Sequence, residues 1–210
     1  MAASDKTKIA ETIAVIGTGI AKFIVMDYLN LKLLYIITAI AAWAIYIAYQ
    51  LKTKPQQARH WGFRTDNFFK VLKMVLPMAI IAIIAFVGIG VYKQTIALNW
   101  HILPLFILYP LWGTIQQFLI IALTLGNMQD IKPNMPYKYL AILLNALLFA
   151  LIHYPFTWLM VGTFFLALFY GWLYLKERNL YVLGLFHGCL GALFYYTVLG
   201  RDPFVEIFGI

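Results

Sequence analysis

Apolar residues run along this chain in long blocks separated by short polar links, and the blocks have the length needed to cross a bilayer. A helix spans the ~30 Å hydrocarbon core with about 20 apolar residues. Six blocks are clear, at residues 33–51, 72–92, 102–125, 139–153, 156–175 and 180–199, of which 139–153 is the shortest. A seventh, residues 9–25, is weaker because it carries Glu11 and Lys22. Eleven residues apart, these two fall within about 20° of each other on a helix of 3.6 residues per turn. Such a stripe suits burial against other helices, or a helix lying at the interface. The pattern predicts an all-α polytopic membrane helix bundle of about seven transmembrane helices.

Composition points the same way. Of 210 residues, 63% are hydrophobic and 11% charged, whereas soluble domains average roughly a quarter charged. No basic start, apolar stretch and small-residue cleavage site mark a removable leader, so the whole chain is expected to be integral to the membrane. The single cysteine, Cys189, has no intrachain disulfide partner and reads as a small packing residue. The net charge of +8 suggests a nucleic acid only until the positions of the basic residues are examined. With seven spans, Lys6, Lys8, Lys52, Lys54, Arg59, Arg64, Lys70, Lys73, Lys132, Lys138, Lys176 and Arg178 fall on one side, and Lys32, Lys93 and Arg201 on the other. The positive-inside rule then places the N-terminus in the cytoplasm and the C-terminus outside, in a cell inner membrane. The expected partners are membrane lipids, and no nucleic acid.

The longest polar stretch, residues 52–67, is therefore cytoplasmic, and residues 68–76 alternate apolar and basic residues like a helix entering along the membrane surface. This divides the chain into residues 1–67, an N-terminal helix pair with a basic loop, and residues 68–210, a transmembrane core. No internal repeat is visible.

An unpaired polar side chain is costly in hydrocarbon, so polar residues inside spans are the first candidates for function. From residue 102 onward the spans hold no Asp or Glu. Gln116 and Gln117 share one span and stand 100° apart, with Gly113 and Thr124 on the face of Gln117, which makes Gln117 the better inward residue. Asn145, Phe149 and His153 recur at four-residue intervals along one side of another span. His187, in the last span, is flanked by Gly184, Gly188 and Gly191, which permit close helix approach. His60 and His101 lie in loops or at span edges and give no site signal. In the plainest reading these groups are interhelical hydrogen-bond glue, worth about 0.6 kcal/mol per contact. Two imidazoles on two helices also raise haem or a metal. At 1.5 Å per residue His187 lies roughly 10 Å and His153 roughly 22 Å from the cytoplasmic ends of their spans. A zinc site would need further ligands, and glutamine is a poor one. No metal and no cofactor are expected.

The segments PLWGTIQQFLII, NALLFALIHYP and GLFHGCLGALFYY, with the link GWLYLKERNLYVLGLFH, together resemble the CPBP family of intramembrane proteases, which includes the CAAX prenyl endopeptidases. The resemblance covers residues 103–199. The family shows Glu-Glu-x-x-x-Arg, Phe-x-x-x-His and His-x-x-x-Asn in successive helices. Here the second motif is intact as Phe149 and His153, and the third keeps His187 with Gly191 in place of Asn. The first has Gln116 and Gln117 for the glutamates and Ile121 for the arginine. What the resemblance implies is a glutamate that activates water, with His and Asn residues orienting the water and stabilising the oxyanion. A neutral amide cannot act as that base, and general-base catalysis is worth about 10² to 10⁴ in rate. Two expectations follow. An active protein would use Gln117 to position water and His153 and His187 as base or oxyanion donors. An inactive one would bind a peptide or lipidated protein tail at the same positions, with Asn145, Phe149 and Gly191 lining the site. A non-catalytic subunit or immunity factor of a larger membrane assembly, and a haem- or quinone-binding subunit, are the readings from other classes.

Overall fold

A computed structural model describes residues 3–208, without the side chains of Met135 and Ile207. Among the described residues the regular structure is entirely helical: α1 (Asp5–Tyr28), α2 (Lys32–Thr53), α3 (Pro55–Trp61), α4 (Phe68–Lys93), α5 (Ile102–Ile131), α6 (Met135–Ile152), α7 (Thr157–Lys176), α8 (Leu180–Leu199) and α9 (Pro203–Phe208). Of these, α1, α2, α4, α5, α7 and α8 are long and apolar enough to cross a membrane. The weak first block thus lies in a helix of 24 residues, while the block at 139–153 lies in the shorter apolar helix Pro136–Ile152. The chain is an all-α polytopic membrane protein.

Local chemistry sets the helix limits. The Ser4 hydroxyl accepts from the Thr7 amide and caps α1. Proline occupies the first turn of α3 and of α6, where its missing N–H costs nothing. Gly62 ends α3 at φ 104°, and a Cβ there would stand 3.1 Å from the Asn179 and Leu180 nitrogens, so only glycine suits both the angle and the approach. Residues 68–76, expected to enter along the surface, are the first turns of α4, which continues to Lys93 through Pro77. In α5 the backbone widens to π-type turns over Phe118–Gly126, beginning one residue after Gln117. Such widened turns are frequent at functional sites.

The helices form two compact units. The first contains the chain up to Arg64 together with Gln117–Leu180. Its core centres on Phe118, whose ring meets Trp61 at 5.1 Å, Phe63 at 5.5 Å, Trp43 at 6.3 Å and Tyr46 at 6.4 Å between centroids. In α1, Glu11 is buried, and its carboxylate accepts from the Tyr46 hydroxyl at 2.7 Å and from Asn127 Nδ2 at 2.9 Å. Lys22, on the same stripe, pairs with Asp27 at 2.7 Å and donates to the Tyr154 carbonyl at 3.1 Å. A charge within a membrane-length helix is tolerable when partnered in this way.

The second unit contains Thr65–Gln116 and the chain from Tyr181 onward. Here α8 lies against the first part of α5 at glycines. A Cβ on Gly113 would stand 2.7 Å from the Gly184 carbonyl oxygen, a Cβ on Gly184 would run into Thr114, and one on Gly188 into the backbone of Tyr109 and Pro110. Two helix backbones therefore touch directly, the packing mode that small residues permit in membranes. The C-terminal end of α8 is tied to the turn after α4 by the Ala97 amide donating to the Tyr196 carbonyl at 2.8 Å.

Candidate functional site

Backbone contact between α5 and α8 carries Gln116 and His187 into reach of each other within the second unit. Gln116 lies three residues beyond Gly113, and His187 lies between Gly184 and Gly188. Their side chains meet with His187 Nε2 2.9 Å from Gln116 Oε1. An amide oxygen only accepts, so the His187 ring carries its proton on Nε2 and its basic nitrogen is Nδ1. His187 is 8% exposed. At Gly191, one turn further along α8, a Cβ would meet only Tyr109 Cδ1 at 3.8 Å, an ordinary contact. The backbone at 191 thus accommodates a side chain, in contrast to Gly184 and Gly188.

The remaining candidates belong to the first unit. Gln117 is 1% exposed and Asn145 2%. The Thr124 hydroxyl donates to Asn145 Oδ1 at 2.6 Å, which ties α5 to α6. Among the described residues neither Gln117 Nε2 nor Asn145 Nδ2 has a protein acceptor. A buried donor left unmade costs about 1–3 kcal/mol, so each of these N–H groups is available to an acceptor from outside the protein. One helical turn beyond Asn145, Phe149 is fully buried, and its carbonyl accepts from His153 Nδ1 at 2.8 Å. The His153 proton therefore sits on Nδ1 and its basic nitrogen is Nε2. The Phe149 and His153 rings meet edge to face at 5.0 Å.

Phe149 and His153, placed on one stripe by their spacing, are in contact, and the structure adds the contact of Asn145 with Thr124. Gln117 is the more deeply buried of the adjacent amides, and Gln116 makes the hydrogen bond to His187. Neighbours on a helix stand about 100° apart, so the two amides leave α5 in different directions. Ile121, at the arginine position, is 1% exposed, so an apolar residue fills that place. Among the described residues no group of three or more His, Cys, Asp or Glu side chains is placed to hold a metal ion.

Sequence reasoning missed both loop histidines. His101 Nδ1 lies 2.7 Å from Asp202 Oδ2, and the same carboxylate accepts from Asn99 and from Tyr196, each at 2.7 Å. Burial alone pushes the Asp202 carboxyl up. The hydrogen bonds from Asn99, His101, Tyr196 and the Val205 amide outweigh it and hold the group well below the usual carboxylate range. Asp202 also caps α9 by accepting from the Phe204 amide at 3.0 Å. His60 lies 2.6 Å from Asp130 in the first unit. The partners are 101 and 70 residues distant in sequence, so the only available signal was an Asp at each of two span edges.

Residues 98–193 match the family model described as type II CAAX prenyl endopeptidase Rce1-like. No curated protein and no solved structure matches the chain.

Proposed function

Through residues 98–193 this chain belongs to the CPBP family, the group of the CAAX prenyl endopeptidases, and from that premise we propose that it binds a peptide or lipidated protein tail within the membrane and has lost most or all of the ability to cleave it. The observation that carries this reading is the pair of amides at the motif's acid positions. Gln116 is held by His187 through its carbonyl oxygen, and Gln117 is buried with an amide donor that no protein acceptor among the described residues engages. Where a carboxylate accepts protons, these residues offer N–H groups, so the chemistry favoured is recognition of an acceptor. The carbonyls of an extended peptide are acceptors of that kind, because their own backbone hydrogen bonds are unmade. The only acids between residues 98 and 193 are Asp130 and Glu177, and Asp130 is already engaged by His60 and Arg178.

The charge distribution supports an inner-membrane location with a cytoplasmic N-terminus, and a reporter fused to the C-terminus is expected to be active outside the cytoplasm. The function is tested with purified full-length protein in lipid nanodiscs and a panel of prenylated and unprenylated peptides. Saturable binding without cleavage, weakened by Gln117→Leu and by His153→Ala, supports the reading. Cleavage by the unmodified chain that His153→Ala abolishes overturns it in favour of an enzyme working without the glutamates. Neither binding nor cleavage, in the native chain and in the Gln116→Glu, Gln117→Glu variant, overturns it in favour of an assembly role.

A further inference from the structure

In the first unit, the hairpin of α6 and α7 ends in a group of cations. The two helices are joined by residues 153–156 and run antiparallel. They touch where Gly171 meets Ile142, since a Cβ on the glycine would stand 3.3 Å from the Ile142 side chain. From that contact the chain reaches Lys176 five residues on, and Lys138 and Tyr137 four and five residues back, so these three lie at one level at the end of the hairpin. Lys132 joins them, its Nζ 5.3 Å from the centre of the Tyr137 ring, while Lys176 Nζ lies 5.3 Å from that of Trp172. An aromatic face attracts an ammonium without neutralising it. Among the described residues none of the three lysines pairs with a carboxylate. The adjoining acids are Asp130, held by His60 and Arg178, and Glu177, which makes no pair with Lys176. Exposed apolar stripes lead away from the lysines: Leu140, Leu144 and Leu147 on the Tyr137 side of α6, and Trp172 and Phe165 on the Lys176 side of α7. At 1.5 Å per residue the apolar run 139–152 of α6 is roughly 21 Å long, against a hydrocarbon core of ~30 Å. A span this short draws headgroups inward at its ends, and Lys138 stands at one of them.

We propose that this end of the hairpin binds the headgroup of an anionic phospholipid. Lys132, Lys138 and Lys176 supply the charge for the phosphate, Tyr137 and Trp172 keep two of the ammoniums at headgroup level, and the acyl chains lie along the exposed stripes. With the cytoplasmic N-terminus proposed above, the site falls in the cytoplasmic leaflet, whose anionic lipids attract lysines near the surface. A zwitterionic headgroup carries the same phosphate together with a cation of its own, which three unneutralised ammoniums disfavour, so the site selects net negative charge. Lipid binding here does not depend on the tail-binding reading above. A lipid held in this way fixes the level in the bilayer of α6, the helix that carries Asn145, Phe149 and His153.

Native mass spectrometry of the full-length protein, released from micelles containing equal amounts of phosphatidylglycerol and phosphatidylcholine with identical acyl chains, counts the lipids retained. The native chain is expected to prefer phosphatidylglycerol roughly tenfold. The Lys132→Gln, Lys138→Gln, Lys176→Gln variant is expected to lose that preference, and the corresponding triple arginine variant to keep it. Lys132→Gln alone, at a fully exposed position, is expected to lower it about twofold. Removing the same charge outside the hairpin, with Lys52→Gln, Lys54→Gln and Lys73→Gln, is expected to leave it unchanged. No preference in the native chain, or a preference that survives the triple glutamine variant, overturns the proposal. An equal loss in the variant outside the hairpin overturns it in favour of diffuse surface charge. Displacement of the lipid by inorganic phosphate or by an acidic peptide overturns it in favour of a soluble anion or a protein partner.

Discussion

His153 and His187 stand at comparable motif positions on two helices and are fixed in opposite ways. The His187 ring is held by a side chain, the Oε1 of Gln116, and carries its proton on Nε2. The His153 ring is held by its own helix, donating from Nδ1 to the Phe149 carbonyl. One tautomer depends on a residue 71 positions away, and the other is nearly a property of the local helix. Around His187 the geometry is set by backbone contact at Gly184 and Gly188. Around His153 it is set by an ordinary helix end and by Lys22, which holds the next residue's carbonyl. The second unit therefore has a tightly specified polar contact, and the first has donors without protein acceptors.

The contrast is broken most severely at Gly188. Leucine there would drive its Cβ into the backbone of Tyr109 and Pro110, and neither backbone can yield locally, so a loss of about 3 kcal/mol or more is expected. Thermal unfolding in detergent, followed by size-exclusion chromatography, should show little folded protein. Gln116→Leu breaks the His187 contact more gently, with an expected loss of about 0.6–1.7 kcal/mol, the range for interhelical hydrogen bonds in membranes. Gln117→Leu is expected to be neutral or slightly stabilising, because it removes a buried donor that has no protein acceptor. Denaturation midpoints of these two variants, measured side by side, test whether adjacent amides do different work, and equal losses would refute the distinction.

Asp202 offers a subtler comparison with the membrane-embedded contacts. Its carboxyl is held below the ordinary range, so the stabilisation it gives is present above the unfolded carboxylate value and is lost as pH falls through the lower folded value. No change is therefore expected between pH 5 and 8, and a falling melting temperature is expected below about pH 4. Asp202→Asn should flatten that acid limb, at a cost of about 1–3 kcal/mol at neutral pH from the charge-assisted hydrogen bonds of Asn99, His101 and Tyr196, since asparagine caps a helix about as well as aspartate. The smallest effect is predicted at Gly191→Ala, where the new Cβ meets only Tyr109 at 3.8 Å. A change within about ±0.5 kcal/mol is expected there, in contrast to Gly188 three residues earlier.

Some of this was legible along the chain. The four-residue spacing of Asn145, Phe149 and His153 placed them on one side of a helix, and the structure adds that Phe149 and His153 share a hydrogen bond. The glycines around His187 announced a close approach, although not which helix would make it. The choice between Gln116 and Gln117 was not legible, because adjacent residues on a helix differ by 100° and the sequence does not say where the neighbour lies. His60 and His101 were passed over for a related reason: each takes its meaning from an aspartate brought close only by the fold.

Hydrophobic length and the helix period are local properties. They determined from sequence alone that the chain is an all-α membrane protein, where its spans lie, and which polar residues fall inside them. Hydrogen-bond pairing is not local. Only the tertiary structure decided that Gln116 and not Gln117 holds His187, that Glu11 is satisfied by Tyr46 and Asn127, and that one atom of His60 is claimed by both Asp130 and Arg178. A hydrogen bond forms or fails over a few tenths of an ångström, a precision that residue spacing does not contain.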